Sequence, residues 1–346
     1  MTGVQTCALP IYRVFGLEYD LSGRITKLSP PQGTAILYSY DAKGELTSLT
    51  PPGRNPHTFT YSASGRIAAY SPPAIDGVNA QTTFSYDADG RVTRVQRGDQ
   101  TIDIGSDNSG RRSALNLPTG TISYTYDAAT ERLVGISGPG DSGISLQYDG
   151  ALLVRETWTG PVSGTVSNTF DNNFFLVAQS LNGGTPIAFQ YNGDGLLAQA
   201  GALRITRDTQ TGLLTATAID NIADAFGYDS LGQQASYSAT TNGTALYSVR
   251  YVRDLLGRIA QRAETIQGVT DTYAYTYDTI GQLIGVAKDA AMTASYSYDA
   301  NGNRLSATVA EGLTKGQYDA QDRLIGYGTF SFAYRDDGQL DRKSVV

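Results

Sequence analysis

The segment YDLSGRI (Tyr19–Ile25) determines the fold, because close copies of it recur along nearly the whole chain. The first and sixteenth copies begin at Tyr19 and Tyr334, so fifteen intervals divide 315 residues into an average period of 21 residues. Self-similarity at a fixed period indicates one supersecondary unit that is copied many times and packs against its neighbours. The copies that follow the motif most closely contain Tyr40, Asp41 and Gly44; Tyr86, Asp87, Gly90 and Arg91; Tyr277, Asp278 and Gly281; and Tyr298, Asp299 and Gly302.

Each copy is predicted to form one β-hairpin. Aromatic residues alternate with small polar residues before the turn, as in the YSY of residues 38–40, and this period of two is typical of a strand. Asp20 then takes the first position of a type I turn and Gly23 the fourth, where the backbone adopts a positive φ. Such a turn makes a bulged hairpin loop. Arg24 lies across the turn from Asp20, which predicts an ion pair or stacking on a tyrosine ring.

The repeats divide the chain into three parts. Residues 13–340 are predicted to form one array of about sixteen 21-residue units. The middle of the array, from Ser142 to Gln199, follows the motif most loosely. Residues 1–12 do not share the pattern, and we interpret them as a non-native segment or sequencing scar. Residues 341–346 do not share it either, and we interpret them as a scar or a truncation.

The composition favours a sheet and argues against several classes of partner. The 346 residues include 23 Tyr against 10 Phe and 1 Trp, and tyrosine suits a sheet that is wetted on one face. The net charge of −7 argues against nucleic acid or an anionic membrane as partner, because both require a basic surface. No stretch of the sequence approaches the roughly 20 apolar residues of a membrane-spanning helix. The single cysteine, Cys7, cannot form an internal disulfide.

The sequence predicts no catalytic, cofactor-binding or metal-binding site. The repeated aspartates, such as Asp20, occupy equivalent turn positions, whereas a glycosidase needs two carboxyl groups on opposite sides of one bond. Calcium-binding β-rolls use a shorter Gly-Gly-x-Gly-x-Asp unit, which this sequence lacks. His57, the one histidine, is interpreted as a solvated loop residue, and Trp158 as a packing residue rather than a sugar-binding platform. The NGT at residues 242–244 matches a glycosylation sequon, but its Asn-Gly pair favours a hairpin turn.

The motif Tyr-Asp-x-x-Gly-Arg-Leu at this spacing resembles the Rhs/YD-repeat family, over roughly Arg13 to Leu340. That family includes bacterial polymorphic toxins, the shell of Tc insecticidal toxin complexes and the extracellular YD domain of teneurins. The resemblance implies an all-β ribbon of tandem β-hairpins that spirals into a curved sheet or hollow shell around a toxic C-terminal domain. Family shells are generally closed by a segment with Asp-Pro-type motifs, which in many members cleaves itself. Because this sequence contains no Asp-Pro pair, no cleavage residue is carried over.

Two functions stand as hypotheses. The first is a non-catalytic toxin shell, secreted or at the bacterial cell surface, whose partners are its own C-terminal toxin domain and delivery-system proteins. It predicts tyrosine rings stacked in rows from repeat to repeat. The second is a cell-surface adhesion protein that binds glycans through exposed Tyr and Trp rings. Neither requires a cofactor. For the fold, the alternative is a parallel β-helix, in which Tyr19 and Ile25 would not pair antiparallel.

Overall fold

The structure, a computed structural model, describes residues 14–31, 34–75, 80–335 and 338–345. Within these residues the chain forms 32 β-strands and no helix. The strands are β1 (Gly16–Tyr19), β2 (Ile25–Ser29), β3 (Ile36–Tyr40), β4 (Leu46–Thr50), β5 (His57–Tyr61), β6 (Ile67–Ser71), β7 (Thr82–Tyr86), β8 (Val92–Arg97), β9 (Gln100–Ser106), β10 (Arg112–Leu117), β11 (Gly120–Tyr126), β12 (Leu133–Ser137), β13 (Gly143–Asp149), β14 (Leu152–Thr159), β15 (Gly164–Phe170), β16 (Leu176–Leu181), β17 (Ile187–Tyr191), β18 (Leu197–Ala200), β19 (Leu203–Arg207), β20 (Leu214–Ile219), β21 (Ile222–Tyr228), β22 (Gln234–Thr241), β23 (Thr244–Arg253), β24 (Ile259–Ile266), β25 (Val269–Tyr277), β26 (Leu283–Lys288), β27 (Ala291–Tyr298), β28 (Arg304–Val309), β29 (Gly312–Tyr318), β30 (Leu324–Tyr327), β31 (Phe330–Tyr334) and β32 (Leu340–Val345).

The strands pair antiparallel with their neighbours in sequence. In the first hairpin, Tyr19 lies opposite Ile25 and Leu17 opposite Leu28. The same arrangement recurs in the last hairpin, where Phe332 lies opposite Lys343. The predicted class, an all-β array of tandem hairpins, is therefore confirmed, and the alternative of a parallel β-helix is wrong.

Each of the best-preserved hairpins carries a bulge beside its motif tyrosine. In the first hairpin the register shifts between Glu18 and Tyr19. The backbone N–H of Gly23, at φ 78°, donates to the C=O of Asp20 at 3.0 Å and closes the turn. A glycine at positive φ after a type I turn produces this kind of bulged loop. The same register shift occurs beside Tyr40, Tyr86, Tyr277 and Tyr298.

The other ends of the hairpins are joined by different connections. Asn242 and Gly243 link β22 to β23 with φ values of 48° and 75°. Positive φ at both central residues is the type I′ geometry, which matches the twist of the flanking strands. The Asn-Gly pair therefore forms a hairpin turn. The link between β4 and β5 is longer, because it contains residues 51–56.

The chain divides into two units. The first consists of the described parts of Met1–Ile102, Arg253–Gln261 and Thr272–Val346, and the second of Asp103–Val252 and Arg262–Asp271. The first unit therefore contains both early and late hairpins of the array. Their contacts with each other lie within that one unit.

Few side chains are fully enclosed. Apart from prolines, the apolar residues of the described chain that are less than a tenth exposed are Ala69, Ala294 and Ala307 in the first unit and Val249 in the second. Each unit therefore depends on contacts between neighbouring hairpins more than on a central core, as expected for a repeat array.

Two terminal segments flank the predicted array of residues 13–340. Residues 341–345 lie in β32, which pairs with β31 and so continues the hairpin pattern. Their interpretation as a scar or truncation stays a prediction. Residues 1–12, with Cys7, lie outside the described residues.

Candidate functional site

The motif aspartate organises its own turn. Asp20 Oδ1 accepts hydrogen bonds from the backbone N–H groups of Ser22 at 2.9 Å and Arg24 at 3.0 Å. The backbone N–H of Arg24 is the largest cause of a lowered pKa for Asp20, and the hydrogen bond from the Arg24 side chain lowers the pKa further. The aspartate is thus held ionised as an acceptor. The same carboxylate-to-backbone bonds occur at Asp41, Asp87, Asp278 and Asp299.

The motif arginine and the next motif tyrosine join two successive repeats. Arg24 Nε donates to Asp20 Oδ2 at 2.6 Å, and the Arg24 guanidinium lies 4.7 Å from the centroid of the Tyr40 ring. The Tyr40 hydroxyl then donates to the backbone C=O of Ile25 at 2.9 Å. We call these three contacts the repeat staple: the ion pair within one turn, the stack on the next tyrosine and the hydroxyl bond back to the preceding hairpin.

The staple recurs along the array. The hydroxyl bond is repeated by Tyr61 to Leu46, Tyr86 to Ile67, Tyr126 to Arg112, Tyr191 to Leu176, Tyr228 to Leu214, Tyr277 to Ile259, Tyr298 to Leu283, Tyr318 to Arg304 and Tyr334 to Leu324. The stack is repeated by Arg66 on Tyr86, Arg111 on Tyr126, Arg258 on Tyr277 and Arg323 on Tyr334. The predicted rows of stacked tyrosine rings are wrong, because across the described residues no motif tyrosine stacks on the motif tyrosine of a neighbouring repeat.

The predicted turn glycines all lie in the left-handed region, but their surroundings differ. A Cβ on Gly23 would meet no atom within 4 Å. A Cβ on Gly90 would lie 1.6 Å from Nη2 of Arg66, because that guanidinium rests on the turn as it stacks on Tyr86. Gly90 therefore leaves room for the staple as well as supplying the turn conformation. The φ values of the other predicted glycines are 92° at Gly44, 81° at Gly90, 90° at Gly281 and 89° at Gly302.

Two predicted residues complete the set. Arg91 pairs with its own aspartate, with Nε 2.8 Å from Asp87 Oδ2, and also with Asp89. Tyr19 belongs to the first described hairpin and is 37% exposed.

Three successive turns of the second unit carry an apolar residue where Arg24 stands in the first turn. These turns begin at Asp171, Asn192 and Asp208, and the apolar residues are Phe175, Leu196 and Leu213. The Phe175 ring lies 4.8 Å from the ring of Tyr191, the next motif tyrosine. We call residues 171–213 the apolar-stapled segment, because its arginine positions are apolar and Phe175 packs on the next motif tyrosine in place of a guanidinium.

The first turn of this segment also lacks its glycine. Phe174 stands in the glycine position with a φ of 67° and is 72% exposed. A bulky residue in this conformation is strained by roughly 1–2 kcal/mol.

His57 is not the solvated loop residue that the sequence suggested. It begins β5, where it is half-buried, and its Nδ1 lies 2.7 Å from the Tyr70 hydroxyl. The two rings stack at 5.9 Å with an interplanar angle of 9°. Burial lowers the pKa of His57, although the nearby carboxylate of Asp322 opposes this shift. The sequence analysis was wrong because the neighbouring Pro56 indicated a loop, whereas the strand begins directly after it.

Two further clusters are explained by packing. Trp158 lies opposite Gly164 in adjacent strands, and a Cβ on that glycine would be 2.5 Å from the Trp158 ring. In the same unit, Tyr247 donates its hydroxyl to Glu264 at 2.9 Å, and Glu264 pairs with Arg262 at 3.1 Å. Burial, followed by the Glu264 carboxylate, raises the pKa of Tyr247 to about 12. That hydroxyl is therefore protonated and donates to Glu264.

The described residues contain no group of three or more His, Cys, Asp or Glu side chains that could hold a metal ion. Over the same part of the chain, no helix has the length and apolar character needed to cross a membrane.

The bulged hairpin and the staple define a tandem YD-hairpin protein. A family model described as Teneurin YD-shell matches residues 13–345, so the chain belongs to this family. The recognition of a YD-repeat protein from sequence is confirmed. Among curated relatives, Teneurin-3 of Danio rerio is 25% identical over 285 residues, which cover 77% of this chain and 10% of that protein. Teneurin-3 of Mus musculus is 25% identical over 251 residues, covering 68% of this chain and 9% of that protein. The chain thus spans about a tenth of the length of these relatives.

Solved structures share the fold. The crystal structure of TcdB2-TccC3-TEV superposes with a TM-score of 0.63 at 14% identity, covering 96% of this chain and 21% of that chain. The Photorhabdus luminescens Tc holotoxin pore superposes with a TM-score of 0.57 at 13% identity, covering 96% of this chain and 24% of that chain. At this identity the likeness establishes the architecture alone.

Proposed function

We propose that this chain is a wall segment of a non-catalytic YD-repeat shell, and that the shell encloses a toxic C-terminal domain of the same protein. The repeat staple is the observation that carries the proposal. The motif residues are committed to their neighbours: the aspartate to its turn, the arginine to the next tyrosine, and the tyrosine hydroxyl to the preceding strand. Motif residues used in this way extend a wall along the array and do not converge on one catalytic site.

The chemistry of the staple suits a container. An exposed ion pair or cation–π contact is worth only about 0.5–1 kcal/mol, so one staple is weak. In a repeat array the neighbour terms add, so that many weak staples make a continuous and extensible surface. The shared fold with the Tc chains supports this reading, because those chains are much longer than the present one and include the same hairpin array.

Protease protection tests the enclosure. The complete reading frame that contains residues 14–345 is expressed, and the folded product is digested before and after mild denaturation. We expect sequences outside the array to resist digestion until the wall is unfolded. Equal digestion rates in the two states would contradict enclosure.

A second candidate is cell-surface adhesion, and the similarity to the two Teneurin-3 proteins favours it. In this case the exposed aromatic residues would bind glycans, and Phe174 is the most exposed aromatic residue among the described ones. A glycan array separates the two functions. A shell predicts binding at background, whereas specific binding that is lost in Phe174→Ser would support adhesion.

Both candidates place the protein outside the cytoplasm, either secreted or at a bacterial cell surface. For the shell, the partners are the enclosed domain and the proteins that deliver it. Localisation of the tagged full-length product in intact cells, with and without added protease, tests this placement.

A further inference from the structure

One arginine outside the motif reaches across the first unit. Arg54 lies in the connection between β4 and β5, and its Nε donates to Asp322 Oδ1 at 2.8 Å. Its Nη2 lies 2.7 Å from the same oxygen and 3.0 Å from Asp299 Oδ2. The three side chains are between 19% and 27% exposed. One guanidinium from an early hairpin thus pairs with two carboxylates from late hairpins.

Asp299 is open to Arg54 because its own turn has no arginine in the position that Arg24 occupies in the first turn. In the first turn, Asp20 Oδ2 is occupied by Arg24 of the same turn. Asn303 takes the equivalent position in the Asp299 turn, and its neutral amide donates to Asp299 Oδ2 at 2.9 Å. The charge of Asp299 is therefore left for a cation from elsewhere. Burial pushes the pKa of Asp299 up, but the Asn303 hydrogen bonds, with a smaller effect from Arg54, leave that pKa lowered, so the group stays ionised.

Asp322 departs from the motif in a complementary way. It stands in the glycine position of the next turn, at a φ of 60°. Among the four-residue turns of the described chain, no other acidic residue stands in this position. Its carboxylate accepts hydrogen bonds from Asn303 Nδ2 at 2.6 Å and Asn301 Nδ2 at 3.1 Å, in addition to the Arg54 contacts. The strain of an aspartate at positive φ is thus compensated by a long-range ion pair.

The early hairpins are also modified where they meet these turns. The connection that carries Arg54 begins Pro51-Pro52-Gly53, and the Arg54 N–H donates to the C=O of Pro51 at 3.3 Å. The next connection provides a second contact, in which Gln321 Nε2 donates to the C=O of Pro73 at 2.7 Å. Departures from the repeat in two connections and two turns therefore meet in one place.

We propose that Arg54, Asp299 and Asp322 form a register lock, which selects the late repeats that the early repeats bind. If all repeats were identical, the early repeats could bind the late repeats equally well after a shift of one whole repeat. Strands without distinguishing side chains slip in register for the same reason. The register lock makes the native arrangement more stable than the arrangements shifted by one repeat. An offset of one repeat toward the C-terminus would bring Arg54 to Asp319, which already pairs with Arg323 at 2.6 Å. An offset of one repeat toward the N-terminus would replace the carboxylate of Asp322 with Gly302, the fourth residue of the Asp299 turn, which has no charge for Arg54 to pair with. This inference concerns how the array packs on itself and does not depend on the proposed function.

Spin-label distances test the lock in the full chain. Cys7→Ser removes the native thiol, and Asn55→Cys with Ala300→Cys places labels on two exposed residues that flank Arg54 and Asp299. We expect one narrow distance distribution, which Arg54→Gln broadens. The matched control is Arg24→Gln, which removes an arginine that pairs with Asp20 in its own turn of the same unit and should leave the distribution narrow. Unchanged narrow distributions in Arg54→Gln would overturn the proposal.

A second variant keeps the test decisive if Arg54→Gln fails to fold. Asp322→Gly restores the motif glycine, so its own turn is relieved of strain, yet it should broaden the label distribution. Adding Gly302→Asp moves the carboxylate back by one repeat, where Arg54 would also face Asp278, whose turn carries the neutral Gln282. We expect a new narrow distance displaced by about 10 Å, the width of two strands. The wild-type distance in Asp322→Gly, or a double variant as broad as Asp322→Gly, would overturn register selection.

Discussion

The first hairpin and the apolar-stapled segment achieve the same contact with different chemistry. At the first turn, Arg24 stacks on Tyr40, whereas at the Asp171 turn Phe175 packs on Tyr191. The tyrosine hydroxyl bond is unchanged: Tyr40 donates to Ile25 and Tyr191 to Leu176, both at 2.9 Å. The comparison shows that the turn and the hydroxyl bond hold the geometry, and that the cation is replaceable. It also predicts that the two regions differ in their response to salt and acid.

The largest effect is expected for Phe175→Ala. This change removes the packing on Tyr191 and part of the contact with the next turn, which should cost about 2 kcal/mol at a partly exposed site. Urea unfolding at low and high salt measures it. The loss should be the same at both salt concentrations, because no charge is involved. A salt-dependent loss of stability would show that charged contacts, and not apolar packing alone, stabilise the apolar-stapled segment.

Gly90→Ala should cost more than Gly23→Ala. Both glycines have positive φ, so each substitution carries strain of about 1 kcal/mol. At Gly90 the new methyl group must also displace the guanidinium of Arg66 from its place against Tyr86, whereas the space around Gly23 is open. Urea unfolding of the two variants gives the difference. Equal costs would mean that the arginine does not rest on the turn.

Arg258→Gln should cost about 1 kcal/mol at low salt, from the loss of a partly exposed ion pair with Asp254 and a stack on Tyr277. The loss should shrink as salt is added, because exposed charges are screened. This salt response is the opposite of that expected for Phe175→Ala, and the two variants are measured side by side. A loss of stability that salt does not change would contradict the predicted difference between the arginine-stapled and apolar-stapled regions.

The same pair predicts an acid response. Burial pushes the pKa of Asp254 up, but the hydrogen bonds from Arg258 outweigh this and leave it below its ordinary value of 3.8. Since the folded pKa is lower than the unfolded one, the stabilisation is present above the unfolded value and is lost as pH falls through the folded value. Arg258→Gln should weaken this loss on acidification.

Phe174→Gly should stabilise the protein by about 0.5 kcal/mol, the smallest effect in the series. Glycine relieves the strain at a φ of 67° but gains flexibility in the unfolded chain, and the exposed ring gives up little packing. Thermal unfolding measures the change. Destabilisation would show that the Phe174 ring has a contact in solution that offsets the strain.

The local parts of this structure were predictable from sequence, and the contacts between repeats were less so. The alternation at residues 38–40 and the Asp-x-x-Gly turn act over a few residues, so the hairpin and the position of Asp20 followed from short-range rules. The acceptor of the Tyr40 hydroxyl is a backbone C=O 15 residues away, and no side-chain pattern marks it. The separation between each tyrosine and its acceptor varies from 10 to 19 residues, so spacing alone does not locate the acceptor either.

The register lock was hidden for a different reason. In the sequence, Asn303 and Asp322 look like simple departures from the motif, because Asn303 stands in the arginine position and Asp322 in the glycine position. Their meaning depends on Arg54, which is 268 positions from Asp322 in the sequence. Departures from a repeat therefore carry information that only the folded contacts reveal.

The central claim is that the motif arginine holds the tyrosine of the following repeat where that repeat has one, as Arg24 holds Tyr40. A double-mutant cycle between Arg24 and Tyr40, set beside one between Arg24 and Tyr19 of its own motif, tests this claim directly. Native-state hydrogen exchange in the first two hairpins supplies the free energies. We predict a coupling of about 0.5–1 kcal/mol for Arg24 with Tyr40 and none for Arg24 with Tyr19. Coupling within the motif and none across the repeats would contradict the account.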